Sequence, residues 1–315
     1  MMDYRQLGDT GLRVSETGFG AWGIGGESYG VTEKRESLRA LAVAEELGCN
    51  FLDTAPVYGE SEQIIGEFLP GRRDKWILAT KYSGGAASLR TTLVQQLQRL
   101  NTDVIDLYQI HWVPRGDDTQ LYEELYRLRR EGKVRAVGVS LYNVNDIDYV
   151  IDNTVIDTIQ LPCNLLEPLP YLQRLKKIQA SGVGVIIRSS LKGGLLSGKY
   201  SRETQFTDAR DQRSKLSSEE LHSLFAQVDA MRFLEQTAGS LALAAARYPL
   251  SFAQTSTVLL GTKTEAQARF NFGEVPGGRL NEDILQRIHA TQIQLGLFPP
   301  RWKLWLQKLK NQLRP

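Results

Sequence analysis

Three apolar runs in this 315-residue chain each end on a residue of different chemistry. They are Asn50-Phe51-Leu52-Asp53, Trp76 to Thr80-Lys81, and Val104 to Ile110-His111, ending on a carboxylate, an amine and an imidazole. The phenol of Tyr58 follows Asp53 on a glycine-containing loop. Taken singly, each has an ordinary structural role: Asp53 a cap or turn, Lys81 a solvated strand end, His111 a hydrogen-bonded core residue, Tyr58 a loop anchor. If the runs are consecutive strands of a parallel barrel, their ends instead share one rim, where the loops build the active site.

That set implies proton chemistry at a tyrosine. A phenol titrates near pH 10, so donating and recovering a proton near neutrality calls for tuning by roughly two to three units. An ammonium at Lys81 would favour the phenolate, Asp53 would hold that amine in place and charged, and a neutral His111 would orient a carbonyl oxygen. No activated serine or cysteine and no metal motif accompanies them. The nucleophile must then be brought in, and hydride from a reduced nicotinamide fits a carbonyl reduction. A rival reading makes Lys81 a Schiff-base amine of an aldolase or decarboxylase.

The elements needed to position these residues are legible as eight strand candidates, at 15–22, 50–53, 76–80, 104–110, 134–139, 156–160, 183–188 and 256–260. Helical periodicity lies between them: Leu38, Leu41 and Ala42 before Gly48; Leu89, Leu93, Leu97 and Leu100 after a Ser88 cap; Leu121, Leu125 and Leu128 before Gly132. Alternating strand and helix most simply closes into a single (β/α)8 TIM barrel over 1–315. Residues 4–14 read as a hairpin plugging the barrel bottom, around the turn Gly8-Asp9-Thr10-Gly11. The polar segment 201–218 is a long loop expected to overhang the active-site rim.

Composition narrows the class further. With 42% hydrophobic and 23% charged residues, and no run near the roughly 18 apolar residues of a membrane span, a folded soluble protein is expected. A net charge of +2 argues for no nucleic acid or acidic partner. The two cysteines, Cys49 and Cys163, form no zinc or disulfide pattern, and the amino end has no apolar leader. The expectation is a cytoplasmic protein taking a small-molecule carbonyl substrate, its oligomeric state left open with a monomer favoured.

Four segments carry a resemblance to the aldo-keto reductase family over nearly the whole chain. They are Phe51-Leu52-Asp53-Thr54-Ala55-Pro56-Val57-Tyr58-Gly59 with Glu62 to Leu69, Ala79-Thr80-Lys81, Asp106-Leu107-Tyr108-Gln109-Ile110-His111-Trp112, and Gly132 to Ser140. The resemblance implies a (β/α)8 barrel, NADP(H), and a catalytic tetrad of Asp53, Tyr58, Lys81 and His111 with the tyrosine as proton donor. It also implies that Ser140 and Gln160 hold the nicotinamide carboxamide and that Gly20, Ala21 and Trp22 follow the first strand beside the cofactor. Arg188, Ser189, Leu191 and Gly193 are expected along the cofactor too. Gly261, Thr262, Lys263, Gln267 and Asn271 match the family's adenine-side signature, where a hydroxyl and a lysine at a helix amino end suit a 2′-phosphate. The same fold also serves nucleotide-sensing regulatory subunits with slow turnover, which is a second alternative.

The chain departs from the family pattern in several places. Leu141 stands where many members have asparagine, Cys163 replaces a common tyrosine, and Arg188 stands where an aromatic residue often stacks on the nicotinamide. A guanidinium can stack as well, and its charge disfavours the oxidised ring. Gln267 and Phe270 take places where NADP-selective members often carry arginine and glutamate. Loops 22–31, 112–118 and 201–218 are expected to form the substrate wall, the first rich in glycine (Gly23, Gly25, Gly26, Gly30). The tail 298–315 is a basic amphipathic helix, with Trp302, Trp305, Leu306 and Leu309 on one face, expected to dock on its own barrel rather than on a membrane.

Overall fold

The structure, a computed structural model, describes residues 1–26, 32–113, 118–154 and 156–298. Apolar runs bounded by turns form short strands here because both faces of a parallel strand are covered, by the barrel interior and by helices, so the runs need not alternate with polar residues. Two strands precede the barrel, β1 (Tyr4–Gln6) and β2 (Arg13–Ser15), paired antiparallel. Eight more follow: β3 (Thr17–Gly20), β4 (Phe51–Asp53), β5 (Ile77–Tyr82), β6 (Ile105–Ile110), β7 (Val134–Ser140), β8 (Thr158–Pro162), β9 (Gly184–Arg188) and β10 (Thr255–Gly261). They close into a parallel barrel in sequence order, with β10 pairing β3. All eight expected strands are present, each within a few residues of its expected bounds.

The β1–β2 hairpin closes the bottom as expected. Leu7 and Val14, fully buried, pack with the interior residues Phe51, Ala79, Leu107, Ala136 and Ile186. Gly8 makes the approach possible: its φ is +54°, and a Cβ there would lie 2.2 Å from the backbone nitrogen of Gly184.

The outer layer begins with α1 (Lys34–Glu46), α2 (Ser61–Phe68), α3 (Leu89–Arg99), α4 (Thr119–Arg130), α5 (Ile147–Asn153) and α6 (Leu175–Ser181). It continues with α7 (Ser218–Ala230), α8 (Leu234–Thr237), α9 (Leu241–Leu250), α10 (Glu265–Arg269) and α11 (Glu282–Gln294). Two of the expected stripes are buried, Leu89, Leu93 and Leu97 on α3 and Leu121, Leu125 and Leu128 on α4; on α1 the buried face is Ala40, Leu41, Val43 and Ala44, with Ala42 exposed. Ser88 precedes α3, but its side chain does not cap it; the hydroxyl lies 2.6 Å from the Tyr82 phenol instead.

The long segment before α7 is tied down. Arg213 pairs with Asp211 at 2.5 Å, donates to the Gly193 carbonyl at 3.2 Å, and lies over the Tyr200 and Phe206 rings. It therefore joins the loop to the segment following β9. Of the tail, only Phe298 is among the described residues, buried edge-on against His289 at 6.1 Å between ring centroids; the remainder of 298–315 lies outside them. So do residues 27–31 and 114–117 of two expected wall loops. No helix among the described residues is long and apolar enough to cross a membrane.

Candidate active site

In a parallel barrel every strand carboxyl end faces the same rim, and here each brings a residue singled out above: Gly20, Asp53, Lys81, His111, Ser140, Gln160, Arg188 and Gly261. Strand register sets several of them side by side. Gly20 pairs with Asp53, Lys81 with Gln109, Ser140 with Gln160, and Gly261 with Gly20.

At the centre is a buried ion pair. Lys81 is fully buried, and its Nζ donates to Asp53 Oδ2 at 2.5 Å and to the Thr54 carbonyl at 2.9 Å. The ammonium also lies over the Tyr58 ring, 4.9 Å from its centre. The amine is thus paired with a carboxylate, bonded to a carbonyl and set over an aromatic ring, the kind of surroundings in which a buried charge is tolerated. Asp53, only 2% exposed, is saturated too: its Oδ1 accepts from Gln109 Nε2 at 2.8 Å and Gln160 Nε2 at 2.9 Å. His111 meets Tyr58 edge-on, with ring centroids 6.5 Å apart. The four polar residues of the first reading therefore do converge.

The loops that carry them are locked. Gly25, in the turn Ala21–Gly25 after β3, packs so closely on the Tyr58 loop that a Cβ would sit 1.7 Å from the Tyr58 carbonyl oxygen. Trp22 stacks on the Tyr58 ring at 5.9 Å and 26°. Behind Lys81, Gln96 Nε2 donates to the Lys81 carbonyl at 3.0 Å and to Glu62 Oε1 at 2.9 Å, and Glu62 also accepts from Thr80 and Arg99.

The electrostatics differ from the simplest reading of the sequence. Burial pushes the Tyr58 phenol above its ordinary value, and the neighbouring Lys81 charge only partly offsets this. Burial pulls Lys81 down, but Asp53 and then Tyr58 outweigh it, so the amine is held above the ordinary lysine value. A charged ammonium has no lone pair for a carbonyl, which disfavours the Schiff-base alternative. Burial, then the Lys81 charge, pushes His111 down to about 4, so the imidazole is neutral at physiological pH. Burial also lowers the Arg188 guanidinium from its ordinary value.

The expected cofactor residues divide into two groups. Trp22, Arg188, Gly193 and Lys263 lie at the rim or beside it. Arg188 donates to the Leu141 carbonyl at 2.9 Å, and Ser189 takes a positive φ of +58°. Leu191 is partly buried against the core. Lys263 is partly buried near Asp211 and Arg213, over Gly23, where a Cβ would lie 2.6 Å from its Cγ. Gln160 has both amide hydrogens engaged by Asp53 and Gln109, and its Oε1 accepts from Ser140 Oγ at 3.3 Å, so the polar pair expected to hold a carboxamide is already bonded to itself.

The adenine-side expectation is altered most. Thr262 is fully buried: its hydroxyl donates to the Leu260 carbonyl at 2.9 Å and accepts from Asn271 Nδ2 at 2.9 Å. Gln267 accepts from the Lys263 backbone at 2.7 Å, and α10, capped by Thr264, is only five residues long. A phosphate there would be met by Lys263, not by a hydroxyl.

Gln109 went unnoticed as a site residue, although strand alternation places it on the same inward face as His111. Tyr142, two residues after Ser140, carried no signal at all. No group of histidine, cysteine and carboxylate side chains among the described residues could hold a metal.

Comparison with known proteins places this geometry in a family. The model of the aldo/keto reductase family matches residues 16–292. The chain belongs to that family. It is 31% identical over 305 residues to the aldo-keto reductase YhdN of Bacillus subtilis, covering 90% of this chain and 91% of that one. It is 31% identical over 300 residues to L-galactose dehydrogenase of Arabidopsis thaliana, covering 87% and 88%. Among solved structures, the aldo-keto reductase AKR11C1 of Bacillus halodurans in its holo form superposes with a TM-score of 0.79 at 28% identity, over 92% of this chain and 96% of that one. Aldo-keto reductases are NAD(P)H-dependent oxidoreductases, and the protein is an enzyme of that kind.

Proposed function

We propose that the protein reduces an aldehyde or ketone to an alcohol with NADPH, with Tyr58 as proton donor. The observation that carries this reading is the fully buried Lys81 ammonium, held on Asp53 and set over the Tyr58 ring at the barrel rim. A phenol raised by burial is protonated at neutral pH, which a proton donor requires, and the ammonium beside it stabilises the phenolate left after transfer. Asp53 keeps Lys81 charged and oriented, and neutral His111 offers a ring nitrogen to the carbonyl oxygen.

The residues at the rim suit a nicotinamide nucleotide: Trp22 and Arg188 provide flat faces near Tyr58, the oxygens of Ser140 and Gln160 keep lone pairs that can accept from an amide, and Lys263 is a cation for phosphate. Bound there, the nucleotide would supply the hydride. Neither cysteine is suited to act as a nucleophile: Cys49 is buried with its thiol pushed up to about 12, and burial raises Cys163 as well.

The test is a panel of aldehydes, ketones and sugars with NADPH, then NADH, oxidation being followed by absorbance. The relative L-galactose dehydrogenase makes polyhydroxy carbonyls the first compounds to try. Turnover by the wild type that is abolished in Tyr58→Phe supports the reading. Tight nucleotide binding with no turnover of any carbonyl would replace it with the regulatory-subunit alternative.

A further inference from the structure

Two tyrosines flank His111, and the proton-donor reading uses only one of them. The other, Tyr142, stacks on the imidazole with ring centroids 5.2 Å apart and planes 28° from parallel, and its phenol oxygen lies 3.1 Å from His111 Nε2. Yet Tyr142 is 67% exposed. The backbone on either side is fixed: the Leu141 nitrogen donates to the Gln160 carbonyl at 2.8 Å, the Leu141 carbonyl accepts from Arg188, and Asn143 caps the turn Val144–Asp146. The chain is therefore held while the tyrosine side chain stands in solvent, restrained by the stacking and hydrogen bond to His111.

A ring nitrogen makes one good in-plane hydrogen bond at a time. The Tyr142 phenol and a substrate carbonyl would compete for the same nitrogen if His111 is to orient that carbonyl. We propose that Tyr142 is a positioning residue that acts through His111: its hydroxyl occupies Nε2 in the free enzyme, is displaced when a carbonyl oxygen binds, and so sets the apparent affinity for substrate. This rests on the carbonyl-reductase reading of the site. Because the phenol is exchanged for the substrate oxygen rather than for a proton, its removal acts on KM and not on kcat.

Tyr142→Phe keeps the ring and removes the competing hydroxyl. One modest hydrogen bond corresponds to roughly a two- to tenfold change. KM for the carbonyl is expected to fall by that factor, with kcat within about twofold of wild type and NADPH affinity unchanged. The Nε2 nitrogen resonance of His111, measured on the substrate-free protein, is expected to shift in Tyr142→Phe. A merely structural tyrosine would move neither KM nor that resonance selectively. Tyr142→Ala, tolerable at so exposed a position, should also lower KM.

An active wild type with unchanged or raised KM in Tyr142→Phe overturns the proposal and leaves the reductase reading standing. An unshifted His111 resonance overturns it as well. A wild type that turns over no carbonyl removes the reductase reading, and this proposal falls with it.

Discussion

Replacing Lys81 with methionine separates what the central charge contributes to stability from what it contributes to the proposed chemistry. Methionine nearly preserves volume but leaves the Asp53 carboxylate, 2% exposed, with two neutral amide donors, Gln109 and Gln160, and no cation. Breaking a buried ion pair from one side typically costs about 3–5 kcal/mol, which in a chain of this size lowers the melting temperature by several degrees. The catalytic loss follows from distance: a unit charge 4.9 Å from the Tyr58 ring centre is worth about 3 kcal/mol at an effective dielectric near 20, or roughly a hundredfold in stabilising a developing phenolate. Adding Asp53→Asn removes the stranded charge. The double variant is therefore expected to regain most of the melting temperature while its turnover stays at least about a hundredfold down. Thermal unfolding followed by circular dichroism, paired with steady-state carbonyl reduction, reads both quantities. A single variant that melts like wild type, or a double variant whose turnover recovers with its stability, would refute the reasoning.

Tyr58→Phe should keep the fold and nucleotide binding yet lower reduction at least about a hundredfold, the scale of general acid catalysis; near-normal rates would end the proton-donor assignment. With Thr262 turned inward, any preference for NADPH should rest on Lys263, so Lys263→Ala should bring the dissociation constants of NADPH and NADH to within a few-fold, whereas Thr262→Val should not; titration of both nucleotides against each variant checks it. Burial pushes His289 down to about 4 from an ordinary value near 6.5, so the unfolded chain takes up the proton first. The stability due to neutral His289 is then fully present above about 6.5 and is lost as the pH falls toward 4. His289→Leu should flatten that acid slope by about one proton in urea melts taken across the window, and an unchanged slope would mean another group carries it.

The strands were legible because a barrel strand buried on both faces reads as an unbroken apolar run, and the polar residue that ends the run lies at the rim whatever its chemistry. Asp53, Lys81 and His111 could therefore be placed together from their positions alone. The same logic fails one residue further on. Thr262 follows β10, which ends at Gly261, so the alternation that fixes side-chain direction has stopped, and nothing in the run Leu260-Gly261-Thr262-Lys263 says whether the hydroxyl faces a ligand or Asn271. Tyr142 lies beyond the end of β7 in the same way, and its reach to His111 depends on how the turn after Leu141 is held. Burial is the other quantity the sequence withholds. Spacing identified Lys81 as the partner that would lower the Tyr58 phenol, and that direction of influence holds, but the degree of desolvation outweighs it and the phenol ends up raised. The distinction bears on the proposed chemistry, because a lowered phenol would lose its proton before the carbonyl arrived. A raised one keeps it, and the adjacent ammonium matters only once the phenolate charge begins to form.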